Sequence, residues 1–468
     1  MVELKETKTN AASSNLEGSS SQETTEKKSF WQMLRATFKD EGRAWLMISC
    51  GAFFYAYQFI LRVSPNVMNN EMMETFMIDA LAFGTVVGFY SWGYAGMQLP
   101  LGITMDRLGS RILLAGAGLL LGLSCFAFAA TNSLFVASAA RFLIGAGGAC
   151  GLIGTLKLGT LWLEPVKLGK VIALTMVFGT LGASMGGTPL SMLVDAIGWR
   201  ETYQILGVVG LGVGVACYLL VRSPSDDQSH AKEAVPFLEN RHPWHDIKEL
   251  ATNSQAWVIA IYGTLMYMPI TIIGDAWGVQ FVGKAALVDE KVAASVNTAM
   301  FLGAAVGSPV FTAMSDMMSN RRFPMVIGSL ATFLIYLGIL FYPGHSIYVF
   351  YVLFFLAGFF YTAKVLTFAV ICEIMPRNMS GVATAFVNMI VMLTGALHPF
   401  IGWLIDLNWD GQYNDGVPIY SVADYRFALM ILPMCLIISL FLLKFMKETH
   451  PKSGSTQRDQ PSVDVDVL

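Results

Sequence analysis

The sequence predicts an all-α membrane protein, with twelve transmembrane helices arranged as two pseudo-symmetric six-helix bundles. Three observations carry that expectation. Of the 468 residues, 54% are hydrophobic and only 13% charged, where a soluble domain carries about a quarter charged. The apolar residues fall into twelve runs, each near the roughly 20 residues needed to cross a bilayer, six on either side of a polar stretch. Landmarks of the first six runs also recur in the last six at an offset of about 210 residues.

Residues 1–44 divide into a tail rich in Ser, Thr and Glu, expected to be disordered, and an interfacial helix over Phe30–Trp45, where Phe30, Trp31, Leu34 and Phe38 mix with Lys39 and Arg43. No secretory signal is read at the start. The N-terminal bundle is expected over 45–221, with spans at 45–66, 80–104, 111–130, 134–160, 168–194 and 202–221. A cytoplasmic linker follows at 222–255, with Pro224, Pro236 and Pro243. The C-terminal bundle occupies 256–446, with spans at 256–281, 292–316, 324–343, 346–374, 381–405 and 426–446, and 447–468 reads as a disordered cytoplasmic tail. Long apolar runs without period-2 alternation favour helices over a barrel.

Lys and Arg positions orient the chain. With both termini cytoplasmic, cytoplasmic segments hold 22 of the 30 Lys and Arg, and the outer loops hold four: Arg200, Lys284, Lys291 and Arg426. The repeat is legible in Asp106 and Asp316, Pro165 and Pro376, Pro189/Asp195 and Pro399/Asp406, and Gly51/Tyr55 and Gly263/Tyr267. Two related halves offer a midplane site and a rocking motion around it.

A net charge of −3 gives no reason to expect nucleic acid. The six Cys lie in apolar runs with no CxxC pair, so neither a disulfide framework nor a metal site is indicated. No phosphate-binding loop and no nucleophile triad occurs. The expected protein is not an enzyme and needs no cofactor; energy comes from an ion gradient or from the substrate's own.

The stretch GITMDRLGSR (Gly102–Arg111) fits G-x-x-x-D-R-x-G-x-R, the loop 2–3 signature of the major facilitator superfamily, which this chain resembles over nearly its whole length. RFLIGAGGA (Arg141–Ala149) is similar to the family's span 4 motif, and GTLGASMGGTP (Gly179–Pro189) to its span 5 gating motif. In the second half TAMSDMMSNRR (Thr312–Arg322) is degenerate: Thr312 replaces the first Gly and Met317 the Arg. The resemblance implies secondary transport by alternating access. It assigns gating to Gly102, Asp106, Arg107, Gly109 and Arg111, with Gly186, Pro189 and Asp316 alongside. The residues give a parallel account: Asp106 at a helix end can accept N–H groups of another helix, and the two Arg can pair with carboxylates or phosphate. A plain topology signal is the blander alternative.

Ionisable groups inside a bilayer are functional candidates. Lys157 and Lys364, in spans 4 and 10, are expected on a similar face, where the family's cavity lies, and they point to an anionic substrate. Arg62, near the outer end of span 1, either faces that cavity with Gln58 as a partner or snorkels to the surface. Tyr267 and Tyr361 are expected on the pocket wall. Asp275, Arg141 and His398 are candidates for proton coupling. For Arg141 bracing of span 1 is the alternative, and for His398 a hydrogen-bonded structural role.

The reading is a proton-coupled symporter for a small anionic or zwitterionic solute: an amino acid, short peptide, carboxylate or sugar phosphate. It works as a monomer in the bilayer of a bacterial cytoplasmic (inner) membrane. Alternatives are a siderophore or metabolite exporter of the same fold and, in another class, a non-transporting nutrient sensor.

Overall fold

The computed structural model describes residues 41–164, 167–222, 243–342, 344–376, 379–414 and 416–450. The expected tail and most of the expected interfacial helix, with residues 223–242 of the linker, lie outside them. Among the described residues, eleven helices are long and apolar enough to cross a membrane: Glu41–Val67, Leu108–Ala130, Leu134–Trp162, Leu168–Ile197, Trp199–Leu220, Ser254–Ala286, Glu290–Met317, Arg322–Phe341, Ile347–Ile374, Gly381–Asn408 and Val422–Leu442. The twelfth, span 2, passes with the short helix before it, Asn69–Phe76 followed by Ala80–Gln98, bent by 113°. We number the spans 1 to 12 in chain order.

Several boundaries differ from expectation for local reasons. Span 12 begins at Val422, not at 426, because Ser421 and Asp424 form a capping box whose polar residues mimic a loop in the sequence. Spans 2 and 3 form one helical run, Ala80–Ala130, broken only at Gly109, where φ is 75° and ψ 161°. Gly109 occupies a region that side-chain-bearing residues avoid, which gives the motif's second Gly a backbone reason. The linker ends in a helix, Pro243–Thr252. The expected C-terminal tail starts late: residues 447–450 are docked. The Glu448 carboxylate accepts the backbone N–H groups of Arg321 at 2.8 Å and Arg322 at 3.0 Å, and the Thr449 hydroxyl donates to Glu373 at 2.6 Å. Partial burial would raise the Glu448 carboxyl, but four backbone N–H groups outweigh it and hold it below its ordinary value.

The halves repeat each other at the level of packing. In the first, a Cβ on Gly145 of span 4 would land on the Tyr90 carbonyl of span 2, and one on Gly93 of span 2 on the Phe142 carbonyl of span 4. In the second, Gly358 of span 10 meets the Met300 carbonyl of span 8, and Gly303 of span 8 the Phe355 carbonyl of span 10. These four glycines let helix backbones touch where hydrophobic attraction between helices is weak. Gly145→Val or Gly358→Val must therefore push whole helices apart. Each should destabilise the protein by about 3 kcal/mol, read as a lowered melting temperature in detergent against the neighbouring lipid-facing Leu143→Val.

Helix breaks interrupt five of the spans. Span 4 breaks at Ala149, between Leu134–Gly148 and Cys150–Trp162. Span 5 breaks at Gly186–Gly187, with Pro189 in the first turn of the helix that follows. Span 7 carries a π-turn at Ile273–Trp277. Span 10 becomes 3-10 at Thr362–Val365, and span 11 at Leu393–Leu397 before His398–Asn408. Irregular backbone at membrane depth needs protein or water around it, so the breaks point to segments packed within the protein.

Candidate functional site

The centre is built on three residues of span 7 spaced four apart, Tyr267, Thr271 and Asp275, which share one helix face. Arg62 reaches them from span 1, at the last turn before the Ser64–Val67 3-10 segment that Pro65 opens. Its Nε and Nη2 both donate to Asp275 Oδ2, at 2.9 and 2.8 Å. Nη1 donates to the Tyr267 hydroxyl at 2.5 Å, and Nη2 also to Thr271 Oγ1 at 3.2 Å. All four residues are buried. Of the two options open for Arg62 in the sequence, the structure has it inside, ion-paired with Asp275 across the halves.

Lys364 lies in the 3-10 interruption of span 10 and is 6% exposed. Its ammonium sits 3.5 Å from the Tyr267 ring centroid and 5.9 Å from that of Tyr361. Among the described residues it forms no ion pair. The two aromatic faces supply part of what water would. A buried ammonium without an anion remains costly. One ring thus holds two cations, since the Arg62 guanidinium carbon is 5.2 Å from the same centroid. Asp275 neutralises only one of them.

The other expected residues are placed differently. Arg141, fully buried, donates to the Leu61 carbonyl at 2.7 Å and the Arg62 carbonyl at 3.4 Å, and lies over the Tyr90 ring. It braces span 1 at the turn that aims Arg62. Gln58 does not partner Arg62; its side-chain oxygen accepts the Tyr90 hydroxyl at 2.5 Å. His398 is buried, Nδ1 has no hydrogen-bond partner, and its carbonyl lies against Gly84 of span 2. Lys157 is half-buried in the unbroken helix Cys150–Trp162 and shares neither tyrosine ring. The phase argument that paired it with Lys364 assumed two regular helices, and span 10 is not regular there.

The gating candidates fall into two groups. At the end of the bundle where residues 41 and 450 lie, the terminal end, Arg111 Nε donates to the Tyr218 carbonyl at 2.9 Å and stacks on the Tyr218 ring. The side chains of Gly102, Asp106 and Arg107 lie outside the described residues. In the second half Asp316 pairs with Arg321 at 2.7 Å, and Arg321 also pairs with Glu373 at 2.8 Å. Arg321 stands 210 residues after Arg111, and Ser319, 210 after Gly109, also has a positive φ, at 49°. The degenerate motif keeps a positive-φ residue and its last cation.

At the opposite, far end the halves are sewn together by residues that the sequence reading used only as repeat markers or passed over. Asn66 Nδ2 donates to the carbonyls of Ile273 and Gly274, both at 2.8 Å, and its Oδ1 accepts the Val279 N–H at 3.1 Å. The π-turn displaces those carbonyls from regular helix geometry, and Ile273 O accepts Asn66 beside the Gly278 N–H. Asp406 of span 11 accepts the Leu81 N–H at 2.8 Å and the Ala80 N–H at 3.3 Å, at the positive end of span 2. Its repeat mate, Asp195 of span 5, pairs with Lys291 at the start of span 8 at 3.0 Å. Hydrogen bonds between described residues of the two halves all fall at the centre or the far end, so this conformation is sealed there. The available signal was the Pro189/Asp195 and Pro399/Asp406 repeat.

The model of the Major Facilitator Superfamily matches residues 46–283 and 266–465. Among curated proteins, the chain is 26% identical over 406 residues to the "Membrane sensor protein UhpC" of Escherichia coli, covering 81% of this chain and 89% of that one. It is 21% identical over 398 residues to the "Probable galactarate/D-glucarate transporter GudP" of Escherichia coli, covering 77% and 86%. It is 23% identical over 251 residues to the "Galacturonate transporter" of Dickeya chrysanthemi, covering 52% and 70%. Among solved structures it resembles a bacterial homologue of the human lysosomal transporter Spinster, with a TM-score of 0.70 and 15% identity over 85% of this chain and 95% of that one. Family model, curated relatives and fold agree, and this multi-pass membrane protein belongs to the Major Facilitator Superfamily of transporters.

Proposed function

We propose that the chain is a secondary transporter of small organic anions, carboxylates above all, working by alternating access around the Tyr267 ring. The observation that carries this is Lys364: a buried ammonium on two aromatic faces, without a counter-ion, beside an Arg whose charge is already matched. An anion supplies the missing charge, and Tyr267 and Tyr361 give aromatic faces beside it. Relatives named for sugar acids point to the same substrate class. The molecule acts as a monomer in a bacterial cytoplasmic membrane with both termini inside, in keeping with the Lys and Arg asymmetry. The two half-bundles, 45–221 and 256–446, are its moving bodies, and protons drive it. Asp316 and the Gly102–Arg111 loop act at the cytoplasmic gate, Gly186 and Pro189 at a bend in span 5.

The test is binding followed by flux. Sugar mono- and diacids should raise the melting temperature of the purified protein by mass action, while the matching neutral sugars should not. The stabilising compounds should then show saturable counterflow in proteoliposomes. Equal stabilisation by neutral and anionic members rejects the anion site. Binding without counterflow favours a second reading, a nutrient sensor, which the likeness to UhpC supports.

A further inference from the structure

We propose that Asp275 is a resident stand-in for the substrate's carboxylate: the incoming anion takes Arg62 from it, and that exchange unties span 1 from span 7. The inference rests on the anion-transporter reading and adds how binding reaches the gate.

Arg62 has no free face. Nε, Nη1 and Nη2 all donate, and every hydrogen-bond partner of the head group comes from the other half: Asp275, Tyr267 and Thr271 of span 7, and Met392 Sδ of span 11 at 3.7 Å. A substrate cannot touch Arg62 without displacing one of them. Lys364 draws the substrate's negative charge to the ring whose edge holds Arg62. Among the described residues Asp275 hydrogen-bonds only Arg62, through Oδ2. A carboxylate arriving at the ring can satisfy Arg62 and Lys364 together, and offer two oxygens to the guanidinium. It therefore competes on better terms for the same donors.

The consequence is mechanical. Of the two ion pairs between described residues that tie the halves, Arg62–Asp275 is the buried one. Four residues on, Asn66 is docked on the π-turn that carries Asp275. A displaced Asp275 is a buried carboxylate without a partner, a costly state. It regains water only when the far end parts. Substrate binding thus destabilises the sealed conformation through the residue it evicts, and the empty carrier holds itself shut with its own carboxylate.

The experiment measures carboxylate affinity and far-end opening on the full-length protein, using the strongest-binding sugar acid from the thermal screen. Asp275→Asn, which removes the competitor, should tighten binding of that acid about tenfold or more and slow counterflow, since the eviction step is lost. In the otherwise unsubstituted protein, spin labels at Met77 and Leu287, both exposed at the far end, should move apart when the acid is added and not with its neutral analogue. Asp275→Asn binding no tighter than the parent, or labels that stay put with the acid bound, overturns the proposal. If Asp275→Asn does not fold, the label distances decide alone. If no carboxylate binds the parent protein at all, it is the anion reading that has failed.

Discussion

Replacing Lys364 with Ala is expected to weaken binding of the transported anion by about ten- to a hundredfold, while a neutral analogue of the same shape loses less than about twofold. A hydrogen bond to a charged group contributes roughly 1.5–3 kcal/mol, and each 1.4 kcal/mol is a factor of ten in affinity. The charge on Lys364 has no anionic partner among the described residues, so the loss falls on the ligand. The empty protein should respond in the opposite sense. Removing an ion pair's partner normally strands a buried charge, but here the charge removed is itself the stranded one, so the ligand-free melting temperature should hold or rise. Lys364→Arg should keep charge without keeping geometry, because a planar guanidinium stacks over Tyr267 where an ammonium points. Isothermal titration with the acid and its neutral analogue reads both arms. A matched loss for the two ligands would mean that Lys364 shapes the pocket and does not read charge.

The twelve spans and their repeat were legible because each leaves a mark in one dimension: run length and offset. The centre was legible only in its members. Arg62, Lys364, Tyr267 and Asp275 stand out as polar residues on apolar spans, yet nothing in the sequence says that Arg62 and Asp275, 213 apart, face each other. The repeat does hint at it: Gly51 and Gly263 differ by 212, so the two lie at nearly matching depths on spans 1 and 7. The π-turn at Ile273–Trp277 has no proline to announce it, since Pro269 lies a turn earlier inside regular helix. Without that turn Asn66 has no visible partner. Lys157 failed to pair with Lys364 for a related reason, because a 3-10 segment changes the phase of span 10 and sequence counting assumes 3.6 residues per turn throughout. In the degenerate loop the residue matching Gly109, Ser319, keeps a positive φ without being glycine.

Asn66→Ala should shift the molecule away from the sealed far end more than any other uncharged substitution. Asn66 spends all of its amide on the other half, with three hydrogen bonds, to Ile273, Gly274 and Val279, and is 1% exposed. Each neutral bond contributes about 1 kcal/mol net, so roughly 3 kcal/mol of differential stability between the sealed and parted states is removed, a change of order a hundredfold in their ratio. The bonds exist in one state only, which is the condition for a residue to bias an equilibrium and not merely to hold the fold. Overall stability should fall less than the population shifts, because in the parted state the lost amide and the exposed carbonyls meet water. Maleimide labelling of a cysteine placed at Ser64, buried at the far end of span 1, should speed up by one to two orders of magnitude in the Asn66→Ala background. The same label at Leu143, on the lipid face, should not change. Leu114→Ala, a core truncation away from the seam, should lower the melting temperature without raising Ser64-site labelling. If Asn66→Ala behaves like Leu114→Ala, losing stability with no gain in far-end access, then Asn66 is packing and the gate lies with Asp406 and Asp195.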